Sequence, residues 1–174
     1  QISTDLKGKV MLTVTHGNIC NEPVDAIVNP ANISLLAGSG LCGVIHKRAG
    51  IKLEEECKSI GKQEIGNAIV TPAFELSTLK GIIHACGPRW LDGSRGEKEL
   101  LALTHQNIIT AALEHGFSSI AIPAISTGVY RFPVDAAAHV SINTCKHLLA
   151  DNNELSVTFV MSEHDKFTIY ESFL

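Results

Sequence analysis

The chain has 174 residues, 45% of them hydrophobic and 18% charged, which is the profile of one globular domain with a single core, and residues 1–174 read as one domain. Fourteen Lys and Arg against eighteen Asp and Glu leave a formal charge of −4 with no Lys/Arg run, so the basic face that a duplex nucleic-acid partner requires is missing. No apolar stretch approaches the ~20 residues of a membrane span, and the five cysteines (Cys20, Cys42, Cys57, Cys86, Cys145) are widely spaced without a C-x-x-C pair, which indicates neither a disulfide framework nor a zinc knuckle. A soluble, cytoplasmic, monomeric protein with buried thiols is expected, with the nucleus as the alternative location. The start at Gln1 rather than Met suggests a domain cut from a longer chain.

Strand-like apolar runs alternate with helical patterns over almost the whole length. Residues 10–15 and 25–29 read as strands, and a glycine-containing loop then leads into a helix over 41–49. Leu53, Cys57 and Ile60 keep a helical spacing that stops at Gly61. Strands are expected over 68–72 and 81–85. The polar segment 92–96 is a loop within the domain, and a helix over 97–115 carries Leu101, Ile108 and Ala112 on one face and ends at Gly116, a typical C′ residue. A strand over 119–123 precedes Pro133, which suits the first position of a helix presenting Val134, Ala138, Ile142, Cys145 and Leu149. The last strand covers 157–161, and a closing helix from about Asp165 docks Ile169 and Phe173. The alternation predicts an α/β sheet covered on both faces.

In such sheets the ligand crevice lies at the carboxyl ends of the strands. Asn29-Pro30-Ala31-Asn32 and Gly38-Ser39-Gly40-Leu41-Cys42-Gly43 follow the second strand, and Ser126-Thr127-Gly128-Val129-Tyr130 follows the fifth. Glycines let backbone N–H groups turn toward an anion, and a helix start adds partial positive charge, so these loops could clasp a diphosphate without Lys or Arg. Residues 38–43 match G-x-G-x-x-G, but eight residues separate Asn29 from Gly38, which a dinucleotide-binding turn does not allow. Tight turns without a ligand remain the alternative for either loop, and an Asx turn the alternative for Asn32. His84, between Ile83 and Ala85, reads as a core group, as does Trp90. Cys42 lies at a helix start with His46 one turn on, a setting that lowers a thiol pKa, but no third orienting group is visible.

The chain resembles the macrodomains through five markers in order: His16-Gly17-Asn18-Ile19, Val28 to Asn32, Gly38-Ser39-Gly40, Ile83-His84-Ala85-Cys86-Gly87-Pro88, and Pro123 to Tyr130. With Gly43-Val44-Ile45-His46 after the loop, it is most similar to the MacroD-like and related viral hydrolase branch. The resemblance implies a three-layer α/β/α sandwich with a central mixed sheet of about six strands. It implies binding of ADP-ribose, removal of mono-ADP-ribose from protein side chains, partners that are ADP-ribosylated proteins, and no metal or organic cofactor. A non-catalytic reader and an O-acetyl-ADP-ribose deacetylase are the alternatives.

By the same resemblance Asn18 meets adenine, Asn32 meets the distal ribose, Gly38, Ser39, Gly40 and Leu41 form one diphosphate loop, and Ile19, Asn29 and Cys42 are further ligand contacts. Ser126, Thr127, Gly128 and Val129 form the other, with Tyr130 beside the ribose. Catalytic roles fall to Asn32, which orients the ribose, and to Gly40 in the first loop, while a water near the ligand's phosphate attacks the anomeric carbon. Three departures stand out. Asn18 replaces a common Asp, Ser162 falls where many members stack an aromatic ring on adenine, and Cys42 replaces an acidic residue of the MacroD-like branch, as in alphavirus-type macrodomains.

Overall fold

The computed structural model describes residues 2–6, 10–151 and 154–174. In chain order it contains β1 (Ile2–Leu6), β2 (Val10–His16), a 3-10 turn (Ile19–Asn21), β3 (Ala26–Pro30), α1 (Gly40–Ala49), α2 (Ile51–Ile60), β4 (Ala68–Thr71), β5 (Gly81–Ala85), α3 (Glu97–Glu114), β6 (Ser119–Ile122), α4 (Val134–Leu149), β7 (Ser156–Met161) and α5 (His164–Glu171). The predicted elements are all present, within two residues at each strand end. The seven-stranded sheet has the order β1-β2-β7-β6-β3-β5-β4. Five central strands run parallel, while β1 and β4 close the two edges in antiparallel pairing, which makes the sheet mixed.

The pleat decides what each face buries. Val28, Ile83, Ile120 and Ile122 share a core with Leu101 and Ile108 of α3, Ile142 of α4 and Tyr170 of α5. Their neighbours Ile27, Ile82 and Ala121 face the other way, against Ile45 of α1 and Leu53 and Cys57 of α2. This is the three-layer α/β/α arrangement expected. Each fully buried Leu or Ile contributes about 1.5–3 kcal/mol, so the two cores rather than helix propensity hold the short helices α1 and α2 in place. Pro133 differs from expectation by one position: with ψ 131° it caps α4 instead of opening it, and its carbonyl accepts from Ala137 N–H at 2.9 Å. Among the described residues no helix is long and apolar enough to cross a membrane.

The topology opens a crevice at one place. The chain leaves β3 toward the β5 side of the sheet and β6 toward the β7 side, so these neighbours flank the switch point. They pair only at Ala26↔Ile120 and Ile27↔Ala121 and then part, leaving room between their carboxyl ends.

The loop before α3 is organised by one carboxylate. Glu97, buried, accepts from the N–H groups of Leu91, Asp92 and Gly93 through Oε2 at 2.9–3.1 Å and from Arg95 N–H through Oε1 at 2.7 Å. Burial pushes its pKa up, but these donors prevail and hold it at about 2 against a usual 4.5. A depressed carboxyl stabilises the fold above its unfolded pKa, and that contribution fades as pH falls from about 4.5 to about 2. Glu97→Gln is therefore expected to lower Tm at pH 7 and to flatten the Tm profile across that acid window. Thermal scans of both proteins from pH 7 to pH 2 check it, and parallel profiles would refute the assignment.

Candidate functional site

A cavity of about 910 Å³ fills the gap at the carboxyl ends of the parallel strands. Asn18 and Ile19 line it after β2, Asn32 and residues 38–42 after β3, residues 126–130 after β6, and Ser162 after β7. These residues come from four separate strand exits and converge only because the parallel strands end at one edge.

Asn29 is the exception among the expected ligand contacts. It is fully buried, off the cavity wall, and its Nδ2 donates to His84 Nδ1 at 3.0 Å. β3 continues one residue beyond the expected exit, and the period of two turns Asn29 to the Ile27 face, toward α1 and α2. The expected ligand contact through Asn29 is thereby corrected to a structural hydrogen bond inside the sheet. His84 completes the arrangement with Nε2 donating to Thr71 Oγ1 at 2.9 Å, and burial lowers its pKa to about 3, which keeps it neutral.

The first loop is built to leave donors free. Ser39 stands at the N-cap of α1, yet its side chain makes no capping bond, so the first-turn N–H groups stay available to an outside acceptor. Gly40 holds φ +59°, a left-handed conformation that costs an L residue, and a side chain there would point into open space. Gly43 serves differently, because a Cβ there would run into the Gly38 carbonyl oxygen and push the loop off the helix. Asn32 exchanges two hydrogen bonds with Leu36, Nδ2 to the carbonyl at 3.0 Å and Oδ1 from the N–H at 3.2 Å. It thus closes the 32–36 segment locally, through bonds four residues on rather than the two of an Asx turn, while Asn32 forms part of the cavity wall.

The second loop stores strain. Ser126, a non-glycine residue, sits at φ +68°, fastened by Phe132 N–H to its carbonyl at 2.9 Å. Arg131 N–H bonds the Gly128 carbonyl and Trp90 N–H bonds the Tyr130 carbonyl, whereas the N–H groups of Gly128 and Val129 have no partner among the described residues. Val129 is 82% exposed and the space around a Gly128 side chain is empty. Tyr130 is the one aromatic ring of the described lining, and the Arg89 guanidinium lies 5.1 Å from its centroid. Trp90 packs on Phe132 with centroids 4.9 Å apart, a structural position as expected.

Lys166, the one Lys or Arg side chain on the described lining, was not visible from sequence. Its Nζ donates to Thr127 Oγ1 at 3.0 Å and lies 3.6 Å from Glu163 Oε1. A lone cation forms no basic cluster in the sequence, and the signal that places it is the start of α5 directly after β7 at the strand-exit edge. Cys42 is buried, and its thiol donates to the Leu36 carbonyl at 3.7 Å. His46, also buried, has neither ring nitrogen bonded, so no Cys–His relay is formed.

Among the described residues one group gathers potential metal ligands: His46, Cys57 and His84, all buried, with ligand atoms within 4.8 Å of one another. Both His84 nitrogens are already bonded, which leaves that ring no free ligand atom, and burial raises the Cys57 thiol to about 11. The trio lies between α1, α2 and β5, away from the cavity wall.

Comparison with known proteins agrees with this geometry. The Macro domain family model matches residues 28–141, the stretch holding both loops. A macro domain-containing protein of Chlorobaculum tepidum is 40% identical over 166 residues, covering 95% of this chain and 96% of its own length. A protein of Citrobacter koseri named O-acetyl-ADP-ribose deacetylase is 40% identical over 171 residues, with coverage of 95% and 96%. A mutant of the Oceanobacillus iheyensis macrodomain solved with ADPR superimposes with a TM-score of 0.94 at 32% identity, covering 99% of this chain and 95% of that one. With the family model spanning both cavity loops, and relatives matching along nearly the whole length, the chain belongs to the macro domain family.

Proposed function

We propose that the cavity binds ADP-ribose and that the protein hydrolyses mono-ADP-ribose from modified protein side chains. One observation carries the reading: two loops from adjacent strands, β3 and β6, line one cavity with unpartnered N–H groups, and the first opens a helix. A diphosphate between them accepts these donors, with Lys166 adding the charge that the loops lack. One ribose then lies toward Asn32 and Tyr130, and the base lies toward Asn18, Ile19 and Ser162. The partners are ADP-ribosylated proteins, and the setting is cytoplasmic.

In the reaction the loops fix the diphosphate, Asn32 orients the distal ribose, and a water held against the ligand's own phosphate attacks the anomeric carbon as the protein side chain leaves with a proton. Residue 42 supplies no base, since its thiol donates to the Leu36 carbonyl. Cys42→Ala is accordingly expected to keep turnover within about threefold of the parent, well below the effect of removing a general base. Single-turnover release of ADP-ribose from a protein modified on acidic residues checks this, and an inactive variant that still binds ADP-ribose would restore the thiolate mechanism.

The deacetylase name carried by relatives favours a second substrate, free O-acetyl-ADP-ribose, for the same pocket. Incubation of the wild-type protein with a mono-ADP-ribosylated protein and, separately, with O-acetyl-ADP-ribose tests both, with calorimetric titration of ADP-ribose in parallel. Release from the protein supports the proposal, turnover of the metabolite alone supports the second reading, and binding without either leaves a reader.

A further inference from the structure

We infer that Arg89 and Arg131 form a docking surface for an acidic peptide segment, so that the preferred substrates carry ADP-ribose on a residue flanked by Asp or Glu. The inference rests on the ADP-ribose reading above and names the substrate class for the same cavity. In that reading the distal ribose lies toward Asn32 and Tyr130. The modified side chain, bonded to the anomeric carbon, then leaves the cavity past Tyr130, and the polypeptide that carries it crosses the rim there.

Two segments tied together build the rim on the β6 side. Trp90 N–H donates to the Tyr130 carbonyl at 2.8 Å and the Trp90 ring packs on Phe132, so residues 89–90 run beside residues 130–132. Each segment puts one arginine at the surface, Arg89 directly before Trp90 and Arg131 directly after Tyr130. The Arg89 guanidinium lies 5.1 Å from the Tyr130 ring centroid, a cation–π position that orders the side chain before a partner arrives. Arg131 holds φ +63°, where a bulky residue is strained and glycine or asparagine is not, so the fold sustains a cost to keep a cation at this point. Among the described residues neither guanidinium pairs with a carboxylate, whereas Lys58, Lys80, Arg95 and Lys166 each do. The one carboxylate of the described lining, Glu163, stands at the base end beside Lys166 and does not repel an anion here. In a chain of net charge −4, the mouth of the cavity thus offers two unpaired forks shaped for carboxylate oxygens. Two cations match the carboxylates of a peptide flank, while a nucleic-acid strand demands a longer basic track.

The test is calorimetric titration with free ADP-ribose and with two synthetic peptides, each carrying ADP-ribose on a central residue through a linkage that is not hydrolysed, one flanked by Glu on both sides and one by Gln. The wild-type protein is expected to bind the Glu-flanked peptide about fivefold or more tightly at about 50 mM salt, with the advantage fading at about 500 mM as exposed pairs are screened. The double variant Arg89→Gln, Arg131→Asn is expected to lose the advantage while its Kd for free ADP-ribose stays within about threefold, asparagine being the residue that suits a positive φ. Equal affinity of the wild-type protein for the two peptides would overturn the inference, as would an advantage that the double variant retains. If the variant fails to fold, the salt series decides, and an advantage that salt leaves unchanged overturns the assignment to exposed charge. A wild-type protein that binds neither free ADP-ribose nor either peptide brings down the ADP-ribose reading and this inference with it. Binding of free ADP-ribose without a flank preference overturns only the role given to the two arginines.

Discussion

Gly128→Glu is expected to abolish measurable ADP-ribose binding while leaving the fold intact. Nothing lies within 4 Å of a Cβ at this position, and its backbone is outside the left-handed region, so the chain accepts a side chain there without strain. The cost falls on the ligand. In the proposed complex the new carboxylate projects where the diphosphate accepts the N–H groups of Gly128 and Val129, and two like charges about 4 Å apart repel by about 1 kcal/mol in water and about 4 kcal/mol at protein-surface dielectric. Together with lost space and lost donors, the expected fall in affinity is at least about a hundredfold. Calorimetry on folded protein, verified by an unchanged Tm, checks it. Gly128→Ala adds bulk without charge and is expected to lose far less. Wild-type affinity in a folded Gly128→Glu would remove the second loop from the site.

Asn32→Ala is expected to reduce single-turnover release of ADP-ribose by at least about tenfold, equivalent to 1.4 kcal/mol of barrier. Two effects add. In the proposed complex the amide that orients the distal ribose disappears, and a misplaced anomeric carbon forfeits the attack geometry. The same truncation removes both side-chain bonds to the Leu36 backbone, each contributing about 1 kcal/mol, and leaves its carbonyl only the Cys42 thiol, so the segment from 32 to 36 loosens beside the first loop. Leu35 in that segment already holds φ +56°, which only a well-fastened loop sustains. A lower Tm with unchanged turnover would show that Asn32 serves the loop alone, and the catalytic role would be withdrawn.

How far the site could be read without coordinates differs residue by residue. The glycine loops were legible because anion binding through backbone donors demands glycine and a helix start, which are visible as residue types. Asn29 was misread because a strand exit is uncertain by a residue, and one residue changes the face a side chain takes. The cap made by Asn18 is a local bond that exists only once the 3-10 turn forms, and the turn itself is too short to leave a periodic pattern. Nothing in the residue type of Ser126 announces a positive φ.

Taken by itself, the order of residues determined the alternation of strands and helices, the two covered faces of the sheet and the two loops rich in small residues. These follow from hydrophobic period and backbone permissiveness, which act within a few residues along the chain. Tertiary structure alone decided which strands lie side by side, and so where β3 and β6 part to open the cavity. It also brought Lys166 of α5 to Thr127 of the second loop, 39 residues apart in sequence, and turned Asn29 inward to His84, 55 residues away. Such pairings depend on non-local packing of whole elements, whose energies no short stretch of sequence contains.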